Sequence, residues 1–93
     1  MLKDIQGRAR LNKLAELIRA ASRAGSVEYS LVGECRSLRD DLLRAAQEAK
    51  GEVAEEYLQM AGILDRLTGD LMNYEFSAIE EYLGLLDLRE SAH

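Results

Sequence analysis

Few side chains of this sequence have the type and setting that chemistry requires. The chain contains one histidine and one cysteine. His93 is the final residue, and a catalytic base must be held in position, so we expect no catalytic role for it. Cys35 lies between Glu34 and Arg36, whose charges roughly cancel, whereas a reactive thiolate needs an electropositive, partly open setting. These residues favour a protein that is not an enzyme.

Two clusters of carboxylates are the remaining candidates for a metal site: Glu52, Glu55 and Glu56 in one, and Glu80 and Glu81 in the other. A carboxylate-bridged di-metal bundle normally uses Glu-x-x-His motifs on facing helices, and this sequence has none. Acidic residues in the first turn of a helix also stabilise the helix dipole, which explains both clusters without a metal. The glycine-rich phosphate-binding motifs and GxSxG are missing as well. We therefore predict no catalytic residue, no metal and no cofactor.

Four cations on the first predicted helix suggest a different kind of site: Arg8, Arg10, Lys13 and Arg19. In a polar site between two subunits they could contact an anionic ligand. The competing interpretation is that they only balance an acidic surface, because the chain has 17 Asp and Glu against 12 Lys and Arg.

The N-terminal stretch Asp4-Ile5-Gln6-Gly7 precedes an amphipathic helix in a short, acidic, helical chain. In these respects the sequence resembles small phage-encoded sponges of the anti-CBASS type. The resemblance implies helical oligomers that bind cyclic oligonucleotides between subunits. It covers four residues together with size and class, and it transfers no site residues to this chain.

Length and charge bound the class of protein. The 93 residues predict one domain, 1–93, and a chain of this size is only marginally stable alone, so self-association would help. The net charge of −5 provides no basic patch for a nucleic acid polymer. No apolar run approaches the roughly 20 residues that span a bilayer, and MLKDIQGRAR has no apolar signal-peptide segment. With a single cysteine, these features predict an acidic cytoplasmic protein that does not bind membranes.

The absence of proline over the whole chain and the spacing of apolar residues predict an all-α fold. We expect helices at about 2–24, 27–50, 52–74 and 77–88, packed as a small antiparallel bundle of three to four helices. Ser77 and Glu80 fit a capping box at the start of the last helix. Gly51 favours a hairpin between the second and third helices, although one continuous helix over 27–74 is the alternative.

The third predicted helix carries a seam of apolar residues at steps of three and four: Val53, Tyr57, Met60, Leu64, Leu67, Leu71 and Tyr74. That period is the coiled-coil value, so we predict a coiled-coil-like spine helix. Gly62 and Gly69 lie on the opposite face, where each costs roughly 1 kcal/mol relative to Ala. Either the helix merely tolerates them, or another helix approaches its backbone there.

These features predict a non-enzymatic helical protein–protein interaction module, such as an adaptor, a small chaperone or an inhibitor that occupies a partner's surface. We expect it to bind itself, as a homodimer or higher oligomer, and another protein. The predicted oligomer or partner interface consists of Tyr57, Met60, Leu64, Leu67, Leu71 and Tyr74, with Gly62 and Gly69 forming a second contact face. The alternative is a sponge or sensor of the phage type for a small anionic ligand such as a cyclic oligonucleotide.

Overall fold

The computed structural model describes residues 5–91, and this part of the chain contains four α-helices and no strand, which confirms the all-α prediction. The helices are α1 (Ile5–Ala24), α2 (Tyr29–Glu48), α3 (Gly51–Met72) and α4 (Ile79–Ser91). Predicted helical residues 2–4, Asp4 of the N-terminal motif and His93 lie outside the described residues. None of the four helices combines the length and apolarity needed to cross a membrane.

The helices form a ring in which each packs against two neighbours. α2 packs most extensively against α3, α3 packs against α4, and α1 closes the ring by contacting both α4 and α2. Between α2 and α3, Arg36 contacts Met72 and Arg39 contacts Asp65, so higher residue numbers on one helix meet lower numbers on the other. This register shows that the two helices run antiparallel.

A left-handed glycine ends α1. Gly25 has φ +66°, and the N–H of Ser26 donates a hydrogen bond of 3.2 Å to the carbonyl of Ala21. This is the Schellman arrangement, in which glycine adopts the left-handed conformation without the penalty that a Cβ would add. The turn reverses the chain within a few residues, and α2 begins at Tyr29 rather than near residue 27.

A hairpin separates α2 from α3, so the alternative of one helix over 27–74 is wrong. α2 ends at Glu48, and Ala49 and Lys50 adopt extended backbone conformations. Gly51 begins α3 with φ +61°. The predicted turn at Gly51 is therefore correct, but α2 ends two residues before the predicted residue 50.

The connection from α3 to α4 differs from the prediction at both ends. α3 ends at Met72, and Tyr74 has φ +56°, which is rare for a bulky residue. The N–H of Glu75 donates to the carbonyl of Asp70 at 2.8 Å, so this turn also has Schellman geometry. α4 begins at Ile79, two residues after the position that the capping box indicates, and the Glu80 carboxylate instead binds Arg19 of α1.

The core is continuous and receives side chains from all four helices. Its side chains of lowest exposure are Ile18 of α1, Cys35 and Leu42 of α2, Met60, Leu64, Leu67 and Leu71 of α3, and Ile79 and Leu86 of α4. α3 contributes more of them than any other helix, so it is the central structural element of the chain. The helices enclose the central part of its seam, from Tyr57 to Leu71, within a single molecule.

Candidate interaction surface

The predicted interface residues divide into a buried group and an exposed group. Five of them are at most 8% exposed in the single chain: Tyr57, Met60, Leu64, Leu67 and Leu71, which we call the inner stripe. The inner stripe is covered by the chain's own helices, so in this fold it forms the core rather than a surface that a second molecule can reach. Two predicted seam residues lie outside it, because Val53 is exposed and Tyr74 belongs to the turn after α3.

A second stripe runs along the opposite side of α3. It consists of Leu58, Gly62, Asp65, Gly69 and Met72, at steps of four, three, four and three residues, and we call it the outer stripe. The side chains of Leu58 and Met72 are each 51% exposed. The outer stripe therefore repeats the spacing of the inner stripe but ends in two large apolar side chains that the fold leaves in contact with solvent.

α2 extends this exposed surface on one side. A shallow groove of about 360 Å³ lies between the two helices, with Leu43 of α2 facing Leu58, Ala61 and Gly62 of α3. Leu43 is 39% exposed, although the adjacent Leu42 is fully buried. Leu43 is not among the predicted interface residues, and the only sequence signal for it is a second leucine directly after Leu42.

Both glycines of the outer stripe face open space. A Cβ added at Gly62 or Gly69 would meet no heavy atom within 4 Å. Packing within the chain therefore does not explain these glycines, although each costs roughly 1 kcal/mol relative to Ala. Gly33 and Gly84 face open space in the same way, so what distinguishes the outer pair is its position between exposed apolar side chains.

Two arginines of α2 contact residues of the outer stripe. The guanidinium of Arg39 donates hydrogen bonds to Asp65 at 2.8 Å and to Asp40 at 3.0 Å, and these carboxylates raise the pKa of Arg39 above its already high value. Nη2 of Arg36 lies 3.2 Å from the sulfur of Met72. The charge of Asp65 in the middle of the outer stripe is thus compensated by a neighbouring cation.

One predicted anion-binding residue, Arg10, is bound to α2. Its guanidinium donates to the carboxylate of Asp41 and, at 3.0 Å, to the hydroxyl of Ser37. The hydrogen bond from Arg10 is the main reason that the pKa of Asp41 lies below its usual value. Lys13, one turn further along α1, is exposed.

The other two predicted anion-binding residues face α4. Arg19 donates to Glu80 at 2.7 Å, which lowers the pKa of that carboxyl group, and Arg8 lies 3.8 Å from Asp87. These contacts also show that α1 and α4 run antiparallel. Because Arg10 points to α2 whereas Arg8 and Arg19 point to α4, the single chain does not bring the predicted cations together as an anion site.

Cys35 of α2 is fully buried in the core. Burial raises the pKa of its thiol to about 11, while a side-chain hydrogen bond with Thr68 acts in the opposite direction. Thr68 is a buried polar residue that the sequence analysis missed. Its hydroxyl donates to the carbonyl of Leu64 at 2.7 Å, which satisfies it within its own helix.

In the part of the chain that the structure describes, no three His, Cys, Asp or Glu side chains come together in a group that could hold a metal ion. Comparisons with protein-family models, with curated proteins and with solved structures find no match to this chain. The interpretation of the surface therefore depends on the geometry of this molecule.

Proposed function

We propose that this protein is a non-enzymatic helical interaction module that self-associates through the outer stripe of α3. One observation carries the proposal: the fold leaves exposed a regular stripe in which two helix-destabilising glycines lie between large apolar side chains. Glycine allows another backbone to approach closely, and the free energy of that contact would offset the helix propensity lost at Gly62 and Gly69.

The order of residues along the outer stripe favours a second copy of this chain as the partner. Read in either direction, the stripe is a large apolar residue, glycine, aspartate, glycine and a large apolar residue. When two such helices pair antiparallel, Leu58 lies opposite Met72 of the second copy, and Gly62 lies opposite its Gly69. This self-complementarity is what a two-fold symmetric interface requires, because the same patch contacts itself.

The charges of the surface are compatible with this arrangement. In the antiparallel pairing the two copies of Asp65 lie near the symmetry axis, where like charges would repel. Each Asp65 is already paired with Arg39 of its own chain, so the approach of the two copies does not bring together uncompensated charges. Leu43 would extend the apolar contact onto α2 on both sides of the axis.

The biological role that follows is binding to another protein by occupation of its surface, as an adaptor, a small chaperone or an inhibitor does. We propose that the protein acts in the cytoplasm. Because its only cysteine is buried, the proposed self-association does not involve a disulfide.

Size-exclusion chromatography with light scattering tests the proposal through a matched pair of glycine variants. Gly62→Leu should retain helical circular dichroism but give a monomer at tens of micromolar, because the side chain separates the two backbones. Gly84→Leu is the control: this glycine of α4 also faces open space, so its replacement should retain both folding and association. A wild-type monomer under these conditions, or a Gly62→Leu variant that associates as well as wild type, would refute the proposal.

A further inference from the structure

A second cavity lies between the C-terminal part of α1 and the N-terminal part of α2. It has a volume of about 390 Å³ and is open to solvent. Its floor is apolar and is formed by Leu17, Leu31 and three alanines of α1. Leu17 is 45% exposed, so a large apolar side chain lies uncovered in the cavity. The surface is distinct from the outer stripe of α3, with which it shares no residue.

The cavity exists because α1 has small side chains where it passes α2. Ala20 and Ala24 are one turn apart and too short to fill the space between the helices. The Schellman turn at Gly25 ends α1 and leads into α2 within a few residues, so the space lies between two helices that the fold keeps adjacent. The volume lies within the range of roughly 300–1,000 Å³ that small-molecule sites occupy. Along α1 it extends from residue 17 to residue 24, about 10 Å, which is shorter than most docked helices.

The charge of the cavity is negative. Glu28, which immediately precedes α2, and Glu34 of α2 line it, and no lysine, arginine or histidine does. Both carboxylates are exposed, and the remaining polar residues of the lining are serines. The C-terminus of α1 and the N-terminus of α2 meet at this point. The negative partial charge of the first helix end and the positive partial charge of the second largely cancel. The two carboxylates therefore determine the sign of the local potential.

We propose that this cavity binds a small organic cation with an apolar body, such as an aryl or alkyl ammonium ion. The apolar body would lie on Leu17, Leu31 and the alanines, where its burial from water is favourable. The ammonium group would lie between Glu28 and Glu34. An anion with the same apolar body would gain the same burial but would be repelled by both carboxylates, so the site discriminates by charge.

A titration with two matched probes tests this site in the full-length protein. The probes are 1-naphthylmethylammonium and 1-naphthylacetate, which share the aromatic body and differ in the sign of the charge. Amide chemical shifts in the nuclear magnetic resonance spectrum report where each probe binds. We expect the cation to shift amides around the cavity and to bind about tenfold more tightly than the anion, because two nearby carboxylates attract one and repel the other.

Charge variants separate binding at this site from general attraction to an acidic protein. The double variant Glu28→Gln/Glu34→Gln should bind the two probes within about twofold of each other. The control Glu48→Gln/Glu52→Gln removes the same charge at the hairpin between α2 and α3, far from the cavity, and should retain the tenfold preference. Both pairs are exposed, so all variants should fold, and circular dichroism checks this.

Three results with the two probes would overturn the proposal, and a fourth comes from a further variant. They are equal binding of the two probes by the wild-type protein, an unchanged preference in Glu28→Gln/Glu34→Gln, and no saturable shift at millimolar cation. A further variant, Leu17→Lys, places a tethered ammonium group in the cavity and should abolish cation binding. Retained binding in that variant would also contradict the assignment.

Discussion

The inner and outer stripes of α3 have the same spacing but different surroundings. Both advance by alternating steps of three and four residues along one helix. The inner stripe faces α2 and α4 and is buried throughout, whereas the outer stripe ends in Leu58 and Met72, each half exposed. Periodicity therefore identifies two faces that can pack, but it does not say which of them the chain covers itself.

The composition of each stripe explains the difference. The inner stripe has a large side chain at every position and can fill a close-packed core. The outer stripe alternates its large residues with glycine and a charged Asp65, so it cannot fill such a core. It is suited instead to a shallow contact in which a second backbone lies over the glycines.

The largest expected difference in stability is between two variants that place the same charge on the inner and on the outer stripe. Leu64→Asp would bury an unpaired carboxylate at a site with no solvent exposure, which costs more than about 4 kcal/mol and is enough to unfold a domain of ordinary stability. Leu58→Asp changes an exposed residue and should alter the unfolding free energy by less than about 0.5 kcal/mol while weakening self-association. Urea denaturation followed by circular dichroism measures the unfolding free energy of both variants, and size-exclusion chromatography measures the self-association of Leu58→Asp.

If Leu64→Asp itself cannot be purified in folded form, Leu64→Ala provides the graded version. It should lower the unfolding free energy by about 2–5 kcal/mol, the range for removing a buried leucine side chain. Equal destabilisation by substitutions at Leu58 and Leu64 would mean that the two stripes are equally packed. It would contradict the difference in burial between the inner and outer stripes.

The next largest effect is a pH dependence of the unfolding free energy that arises from the buried thiol of Cys35. The Cys35 thiol has its pKa raised from the ordinary 9.0 to about 11, so the folded state keeps its proton while the unfolded state loses it. The thiol's contribution to stability is therefore fully present below about pH 9 and is lost as the pH rises towards 11. The loss should be roughly 3 kcal/mol and is measured by urea denaturation across this range.

Cys35→Ala isolates the thiol from the tyrosines and lysines that titrate in the same range. The variant should be less stable than wild type at neutral pH, because it leaves a small cavity, but its stability should fall less steeply between pH 9 and 11. Parallel pH profiles for the two proteins would show that the thiol does not titrate from a buried position.

The smallest effect distinguishes glycines that the fold needs from glycines that it does not. Gly69→Ala should raise the unfolding free energy by about 1 kcal/mol, because alanine has the higher helix propensity and its Cβ meets open space. Gly51→Ala is the matched control and should lower it by about 1–2 kcal/mol, since φ is +61° at that position. Denaturation below the concentration of self-association measures both.

A loss of stability in Gly69→Ala at low protein concentration would contradict the open environment of the outer stripe. It would mean that another part of the same chain packs against this glycine. The gain should shrink or reverse at high concentration, where the second copy covers the stripe, and that concentration dependence sharpens the comparison further.

Much of the fold could be predicted from local sequence. The spacing of Leu64, Leu67 and Leu71 identified the seam that became the core of α3, and Gly51 identified the hairpin. Both are local signals, one from helical periodicity and one from the conformational freedom of glycine. Tyr74 continued the periodic pattern, but the helix ends two residues before it, and residue spacing alone carries no information about such a turn.

The candidate surfaces were less predictable, because they depend on which residues of different helices face each other. The cations of α1 share a helix, yet Arg10 binds Asp41 of α2 whereas Arg19 binds Glu80 of α4. Their spacing along α1 suggested one site. In the fold, α1 packs between α2 and α4, and each of these helices offers a carboxylate to a different arginine. The cavity near Leu17 is likewise formed by two helices and has no signature in either one alone.

By itself, the sequence determined that the elements are helices and narrowed their number to three or four, because helix propensity, apolar periodicity and glycine turns act over a few residues. Only the tertiary structure decided that the inner stripe is closed by the same chain and that the outer stripe with Gly62 and Gly69 remains open. The physical reason is that burial is a property of the whole arrangement: a side chain leaves water only when another element lies over it.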